Sequence, residues 1–399
     1  MTAHAILDCM AGKLTLLKAA FFYPAAMTSV YARHPGLERT SYEHQYETLM
    51  ADCFHWADFW KSHLEREGRF DVIEIVVNAE CLQKAWAAEH GIPFDPARWQ
   101  EEILAAQVRA YRPHLFFSHG GGSLSRAFRL KLKAGFPAMR CIDYDGIALT
   151  DLEHFKGTDA VLSCLQPVVS YYRGQGLPSH HFKLGFEESI LGRLRPTPPR
   201  HEVTFVGGIS LMKNGHGKRL EFLSRVAQQL PLALHIQGPS DWQYWRSVAG
   251  KMARGRLREA VDAALREYPL LWRLNRSAQA PLYGLSMYQH LHDSKITLNF
   301  HIDAAGTRAA NFRLFEATGA GTCLVTDFKE DLKDYFAVDR EVVAFRSLDD
   351  CLEKVRYLLD HDSERKSVAE RGQQRTLRDH RLDRSILEAG NFLREVAQP

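Results

Sequence analysis

The chain is poor in the features that would tie it to a bilayer, a disulfide framework or a nucleic acid. No apolar run reaches the roughly 20 residues that a membrane crossing needs, and the N-terminus lacks the charged start and apolar core of a secretory signal. The seven cysteines include no CxxC pair, and an odd, scattered set suits reduced thiols in a cytoplasm better than paired ones. Net charge is only +3 over 399 residues, with no arginine-rich arm and no zinc-finger spacing, so a nucleic-acid partner is not expected. The remainder, 45% hydrophobic and 25% charged, is an ordinary globular composition in a chain long enough for two domains.

The most informative stretch runs from Ser294 to Asp327. Ile296–Phe300 and Thr322–Thr326 are short apolar runs of the kind found in buried parallel strands. Between them, Asn311–Thr318 has apolar residues at helical spacing, and Gly319 and Gly321 supply a C-terminal stop. In such a strand, loop, helix, strand unit the loop and the first helical turn lie at the carboxyl edge of the sheet. Open α/β sheets bind ligands there, and free helix N–H groups attract phosphate.

Asn311-Phe312-Arg313-Leu314-Phe315-Glu316-Ala317, followed by Gly319, Gly321 and a strand ending in Thr326-Asp327, resembles the donor-binding helix of GT-B glycosyltransferases. The resemblance is closest to the branch grouped with the spore-maturation protein CgeB. It implies that Glu316 accepts hydrogen bonds from the ribose of a nucleotide-sugar donor, and that the backbone ahead of it, with Asn311, Phe312 and Arg313, holds the diphosphate. Many relatives carry an acidic sugar contact eight positions before that glutamate, where this chain has Arg308. Asp303 is the nearest acidic substitute on the loop, and Arg308 could instead neutralise phosphate.

The first half alternates strands and helices. Leu14–Phe22 and Val72–Val77 read as strands, Tyr42–Arg66 carries a helical stripe of apolar and aromatic residues, and Asn78 is placed to cap the helix after it. Leu115–Ser118 leads into His119-Gly120-Gly121-Gly122-Ser123, a glycine loop with a helix expected from Ser123. HGGG also occurs in esterase oxyanion loops, but the GxSxG elbow that would accompany it is missing. His119 is the best-placed titratable group of this half, and a short strand ends at Asp143-Tyr144-Asp145. The proline-rich stretch Leu194–Arg200 reads as a linker.

The second half restarts with Val203–Val206, then Gly207-Gly208 and a loop carrying Lys213, His216 and Arg219. By resemblance this glycine turn lies beneath the donor diphosphate, and Lys213, His216 and Arg219 compete for the role of balancing leaving-phosphate charge. Gly238, after the strand Leu232–Gln237, matches the junction that lines the nucleobase. The span from Asp241 to Pro281 is long for a crossover and rich in arginine and tryptophan, a composition that suits an anionic glycan, an anionic membrane surface or a helical hairpin packed on its domain.

The expectation is therefore an α/β chain of GT-B architecture, two Rossmann-like domains facing each other across a cleft. Residues 1–195 would form the acceptor-side domain, 196–380 the donor domain, and 381–399 a terminal helix crossing back. The expected activity is transfer of a sugar from a nucleoside-diphosphate sugar to a glycan, lipid-linked or protein acceptor. No cofactor or metal is expected, on the reading that no DxD motif lies near a strand end, so side chains and helix dipole would offset the leaving charge. An inverting reaction would need a base, for which His119 and Asp145 are candidates; a retaining one would not. The alternative is a nucleotide-sugar-binding partner protein that has lost transfer, suggested by Arg308. The expected location is cytoplasmic, with peripheral contact at the inner face of the membrane through residues 241–281.

Overall fold

The computed structural model describes residues 12–119, 124–146, 151–210, 215–309 and 311–398. Two compact units divide the chain, one of Met1–Glu187 with Leu382–Pro399 and one of Glu188–Arg381. Among the described residues each unit carries one all-parallel sheet flanked by helices.

In the first unit the strands are β1 (Leu14–Ala20), β2 (Phe70–Val76), β3 (Leu115–His119), β4 (Arg140–Asp145), β5 (Ala160–Ser163) and β6 (Ser179–His181), in the order β2-β1-β3-β4-β5-β6. The chain leaves β1 to one side for β2 and returns to the other for β3, so the topological switch point lies between β1 and β3. The stripe expected as one helix over 42–66 is two, Tyr42–Ala51 and Phe59–Glu67. Between them Cys53, His55 and Ala57 take left-handed φ values of 54°, 58° and 32°. For non-glycine residues such conformations cost on the order of 1–3 kcal/mol each and persist only when the surroundings enforce them. One contact there is from buried Lys18 of β1, whose ammonium reaches Glu74 of β2 at 2.5 Å and the Ala57 carbonyl at 3.4 Å. Asn78 does not cap a helix. Its amide instead brackets the backbone of Phe22, accepting from the Phe22 N–H at 3.0 Å and donating to its carbonyl at 2.7 Å.

In the second unit β7 (His201–Gly208), β8 (Leu232–Gln237), β9 (Ser294–Asn299), β10 (Cys323–Asp327) and β11 (Val343–Phe345) lie in the order β11-β10-β9-β7-β8. Its switch point is between β7 and β9. The proline-rich stretch is laid along the helix Gly284–His292, with the Gln289 amide bonded to both the N–H and the carbonyl of Arg195. Residues 241–277 are helical apart from a turn at 254–256: Asp241–Ala253, opened by a Ser240/Gln243 capping box, then Leu257–Asp262, a π-turn Ala263–Glu267 and Tyr268–Ser277. Tyr244, Val248, Ala260, Leu271 and Leu274 tie these helices into the same core as Val203, Leu234 and Ile296.

Candidate functional site

At the second unit's switch point the loops after β7 and β9 are joined by one side chain. Arg219, third residue of the helix Gly217–Val226, is 8% exposed. One terminal nitrogen of its guanidinium donates to the Gly208 carbonyl at 2.7 Å and the other to the Phe300 carbonyl. Its Nε is buried without a hydrogen-bond partner. Burial pushes its pKa down to about 10, against the pull of Asp327 and Asp303, neither of which is within ion-pair distance. A cation is thus held out of water between two strand ends with no carboxylate within ion-pair distance among the described residues, a setting that favours an anionic ligand. At Gly207 beside it a Cβ would stand 3.1 Å from the Phe205 ring, which would have to shift to make room.

His216 closes its own loop rather than reaching outward. Its Nδ1 accepts the Ser210 N–H at 2.8 Å, its backbone N–H meets the Ser210 carbonyl, and burial with nearby Arg219 lowers its pKa to about 4. Lys213 lies outside the described residues, as do Gly120, Gly121, Gly122 and Ser123. Gly238 follows β8 and faces Ile209, Leu271 and Asn275, so the β7 and β8 loops and the helix Tyr268–Ser277 meet there.

Asp303 points toward the N-terminus of the helix Gly217–Val226. Its carboxylate accepts the Lys218 N–H at 3.3 Å, and its own N–H donates to the Gly215 carbonyl. The other carboxylate oxygen is buried without a partner. The anion-attracting end of that helix therefore already holds a carboxylate of the β9 loop. Arg308 is largely exposed, 3.8 Å from Asp331.

Sequence reasoning missed His301 and Asp327. The buried His301 ring donates through Nδ1 to Asp327 at 2.7 Å, the His301 N–H donates to the same oxygen, and Lys329 approaches the other at 3.2 Å. Burial raises the Asp327 pKa, but the His301 and Lys329 contacts outweigh it and the net shift is downward. The clue was available as two strand-end residues, one after β9 and one ending β10. The ladder continues through Thr326 to Asn299 and on to Asn311.

The expected donor helix is short, Arg313–Gly319. Asn311 accepts the Leu314 N–H at 3.2 Å, which is why the helix starts two residues later than its apolar spacing suggests. Phe312 precedes the first helical residue. Glu316 pairs with Arg313 at 3.0 Å one turn back and accepts from the Tyr288 hydroxyl at 3.3 Å. The pair is not a solvated surface contact, since both side chains are about 85% covered.

In the first unit His119 ends β3 beside the β1/β3 switch point. Its ring stacks on Trp56 at 3.8 Å and meets His55 edge-on at 4.7 Å. Burial, with His55 and Lys18 nearby, holds its pKa well below the ordinary value. Asp145 is fully buried and accepts from Tyr172 at 2.5 Å. Both expected bases are thus buried among side chains of the first unit, His119 against Trp56 and His55 and Asp145 against Tyr172. The helix expected from Ser123 begins at Arg126, capped by the Ser125 hydroxyl. Asp143-Tyr144-Asp145 does carry DxD spacing at a strand end, which the expectation of no metal left out of account. Asp143 is occupied by Arg129 and Thr158, and among the described residues no group of three or more His, Cys, Asp or Glu could hold a metal ion.

Residues 219–389 match the glycosyl transferase-like family. No curated protein matches the chain in sequence. Among solved structures it is similar to a glycosyltransferase from Rickettsia africae (TM-score 0.53, 10% identity, covering 97% of this chain and 100% of that one). It is similar also to Anabaena HepE in complex with UDP-glucose (0.54, 11%, 96% and 100%) and to sucrose-phosphate synthase from Thermosynechococcus elongatus (0.52, 10%, 96% and 99%). At these identities the likeness establishes the fold: the two all-parallel sheets are those of the GT-B α/β architecture.

Proposed function

We propose that the chain is a metal-independent glycosyltransferase of the CgeB-like branch that takes its sugar from a nucleoside diphosphate held on the second unit. The observation that carries this reading is Arg219, a buried cation at the β7/β9 switch point with no carboxylate within ion-pair distance among the described residues. The glycosyl transferase-like match covers this residue and the whole Arg313–Gly319 helix. As the bond to the anomeric carbon breaks, negative charge grows on the leaving diphosphate, and a preorganised cation stabilises that state more than the ground state. Glu316, already oriented by Arg313 and Tyr288, accepts from the ribose hydroxyls, and the Gly238 junction faces the base. The acceptor is a glycan, a lipid-linked saccharide or a protein, and the transferred group a hexose.

Incubation with a panel of nucleoside-diphosphate sugars, beginning with UDP-glucose because the HepE structure holds it, should release free nucleotide slowly without acceptor and faster with cell extract. A second reading, a binding protein without transfer, is favoured by one feature: the position of the relatives' acidic sugar contact holds Arg308, which faces Asp331, and the nearby Asp303 carboxylate is turned to the N-terminus of the helix Gly217–Val226. Tight donor binding with no nucleotide release under any condition would select that reading.

A further inference from the structure

Of the eleven large hydrophobic residues exposed among the described residues, seven lie between Trp242 and Trp272. Single exposed apolar side chains are unremarked on any protein surface, whereas a cluster of them marks an interaction face. These are also regularly spaced. Trp242, Trp245 and Met252 recur on one side of the helix Asp241–Ala253. Leu257, Val261 and Leu265, at steps of four, continue through the π-turn toward Trp272 on the helix Tyr268–Ser277. The two stripes are joined where the Trp245 ring meets Tyr268 at 4.7 Å. The buried residues of the same helices already face the core, so the exposed stripes are a second apolar side that folding leaves uncovered.

Charge selects what covers it. From Asp241 to Pro281 there are eight basic residues against four acidic ones, more excess charge than the +3 of the whole chain. Arg246 lies over the Trp242 ring at 5.2 Å and Arg276 over Trp272 at 4.8 Å. Arg254, Arg258 and Arg273 have no carboxylate partner among the described residues. Tryptophan and leucine stripes flanked by unpaired arginines are the composition of helices that lie in the headgroup region of an anionic bilayer. A second copy of the chain is a poor occupant, because a two-fold contact would set this basic face against itself. No helix of the described residues is long and apolar enough to cross a membrane, so the contact is with the surface.

We propose that the exposed face of residues 241–277 docks on a bilayer surface rich in anionic lipid. This goes beyond the transfer reaction, and of its tests only the UDP affinity rests on that reading. The full chain should co-sediment with vesicles of phosphatidylglycerol and phosphatidylcholine and not with phosphatidylcholine alone, and binding should fall with salt. Replacing Arg254, Arg258 and Arg273 together by Gln should weaken vesicle binding by about a hundredfold, at roughly fivefold per basic side chain. A separate triple variant, W242S/L265S/W272S, should also lose vesicle binding and, like the first, keep its melting temperature and its affinity for UDP. Equal binding to neutral and anionic vesicles, or unchanged binding by either variant, overturns the proposal. So does a concentration-dependent dimer abolished by the serine variant, or binding to a soluble acidic polysaccharide with none to vesicles.

Discussion

Replacing Arg219 by Met removes the cation from the β7/β9 switch point while keeping most of its volume. The two hydrogen bonds it donates to the Gly208 and Phe300 carbonyls are charge-assisted, at about 1.5–3 kcal/mol each. Against this stands the cost of holding the charge out of water. A pKa lowered from 12.5 to about 10 corresponds to about 3 kcal/mol disfavouring the charged form, at ~1.4 kcal/mol per unit. In the unliganded protein the two nearly offset, so Arg219→Met should cost no more than about 3 kcal/mol of stability. A bound diphosphate relieves the burial cost, which makes the residue matter most to the liganded state. Calorimetric titration should show Arg219→Met binding UDP some ten- to a hundredfold more weakly, the equivalent of about 1.4–3 kcal/mol. The loss should be larger for UDP than for UDP-glucose, since the free diphosphate carries the extra charge that develops as the sugar leaves. Uridine, which has no phosphate, should bind both proteins alike. Arg219→Lys keeps a charge but not the planar fork, and should recover part of the UDP affinity without the thermal stability. Equal UDP affinity in wild type and Arg219→Met, or an equal loss for uridine and UDP, would refute the assignment.

Glu316→Ala should weaken nucleotide-sugar binding by about 1.5–3 kcal/mol, the scale of a hydrogen bond to a charged group; unchanged affinity by calorimetry removes the ribose role. Asp303→Ala frees the N-terminus of the helix Gly217–Val226 of its own carboxylate and should raise UDP affinity several-fold, whereas a fall confined to UDP-glucose would make Asp303 a sugar contact after all. Chelation with EDTA should leave donor turnover intact, and loss restored by a divalent cation would end the metal-free mechanism. Acid should destabilise the fold: burial depresses His55 and His216 to about 4 and His290 to about 3 from 6.5, so below pH 6.5 the unfolded chain takes up protons that the native one does not. Stability is thus full above pH 6.5 and falls toward pH 4 by up to ~1.4 kcal/mol per pH unit for His55, and by less for the more solvent-screened His216 and His290, a trend that a flat urea midpoint between pH 7.5 and 5 would contradict.

How much of this was legible before the structure depends on whether the signal is local. The β9-loop-helix-β10 unit could be read because a buried parallel strand is a short apolar run and a helix stop needs a residue such as Gly321, whose φ is +86°. Glu316 stood out by its place on that helix. The break between the helices Tyr42–Ala51 and Phe59–Glu67 could not be read, because no glycine or proline marks it. Cys53, His55 and Ala57 take left-handed conformations there, and the Ala57 carbonyl is met by Lys18 from 39 residues away. That His119 and Asp145 end strands is legible locally, whereas the burial of one against Trp56 and of the other against Tyr172 is set by residues distant in the chain.

The sequence by itself determined the alternation of strands and helices, the expectation of two α/β domains and the identity of the residues at the strand ends, because hydrophobic period and turn chemistry act over a few neighbours. Only the tertiary structure decided which strand ends meet. Gly208, Arg219, Phe300 and Asp327 come from three separate segments and converge because the order β11-β10-β9-β7-β8 places β9 beside β7, opening a switch point between their loops. Whether a charge there is neutralised or left wanting an anion depends on burial and on distances between residues far apart in the chain, and those exist only after folding.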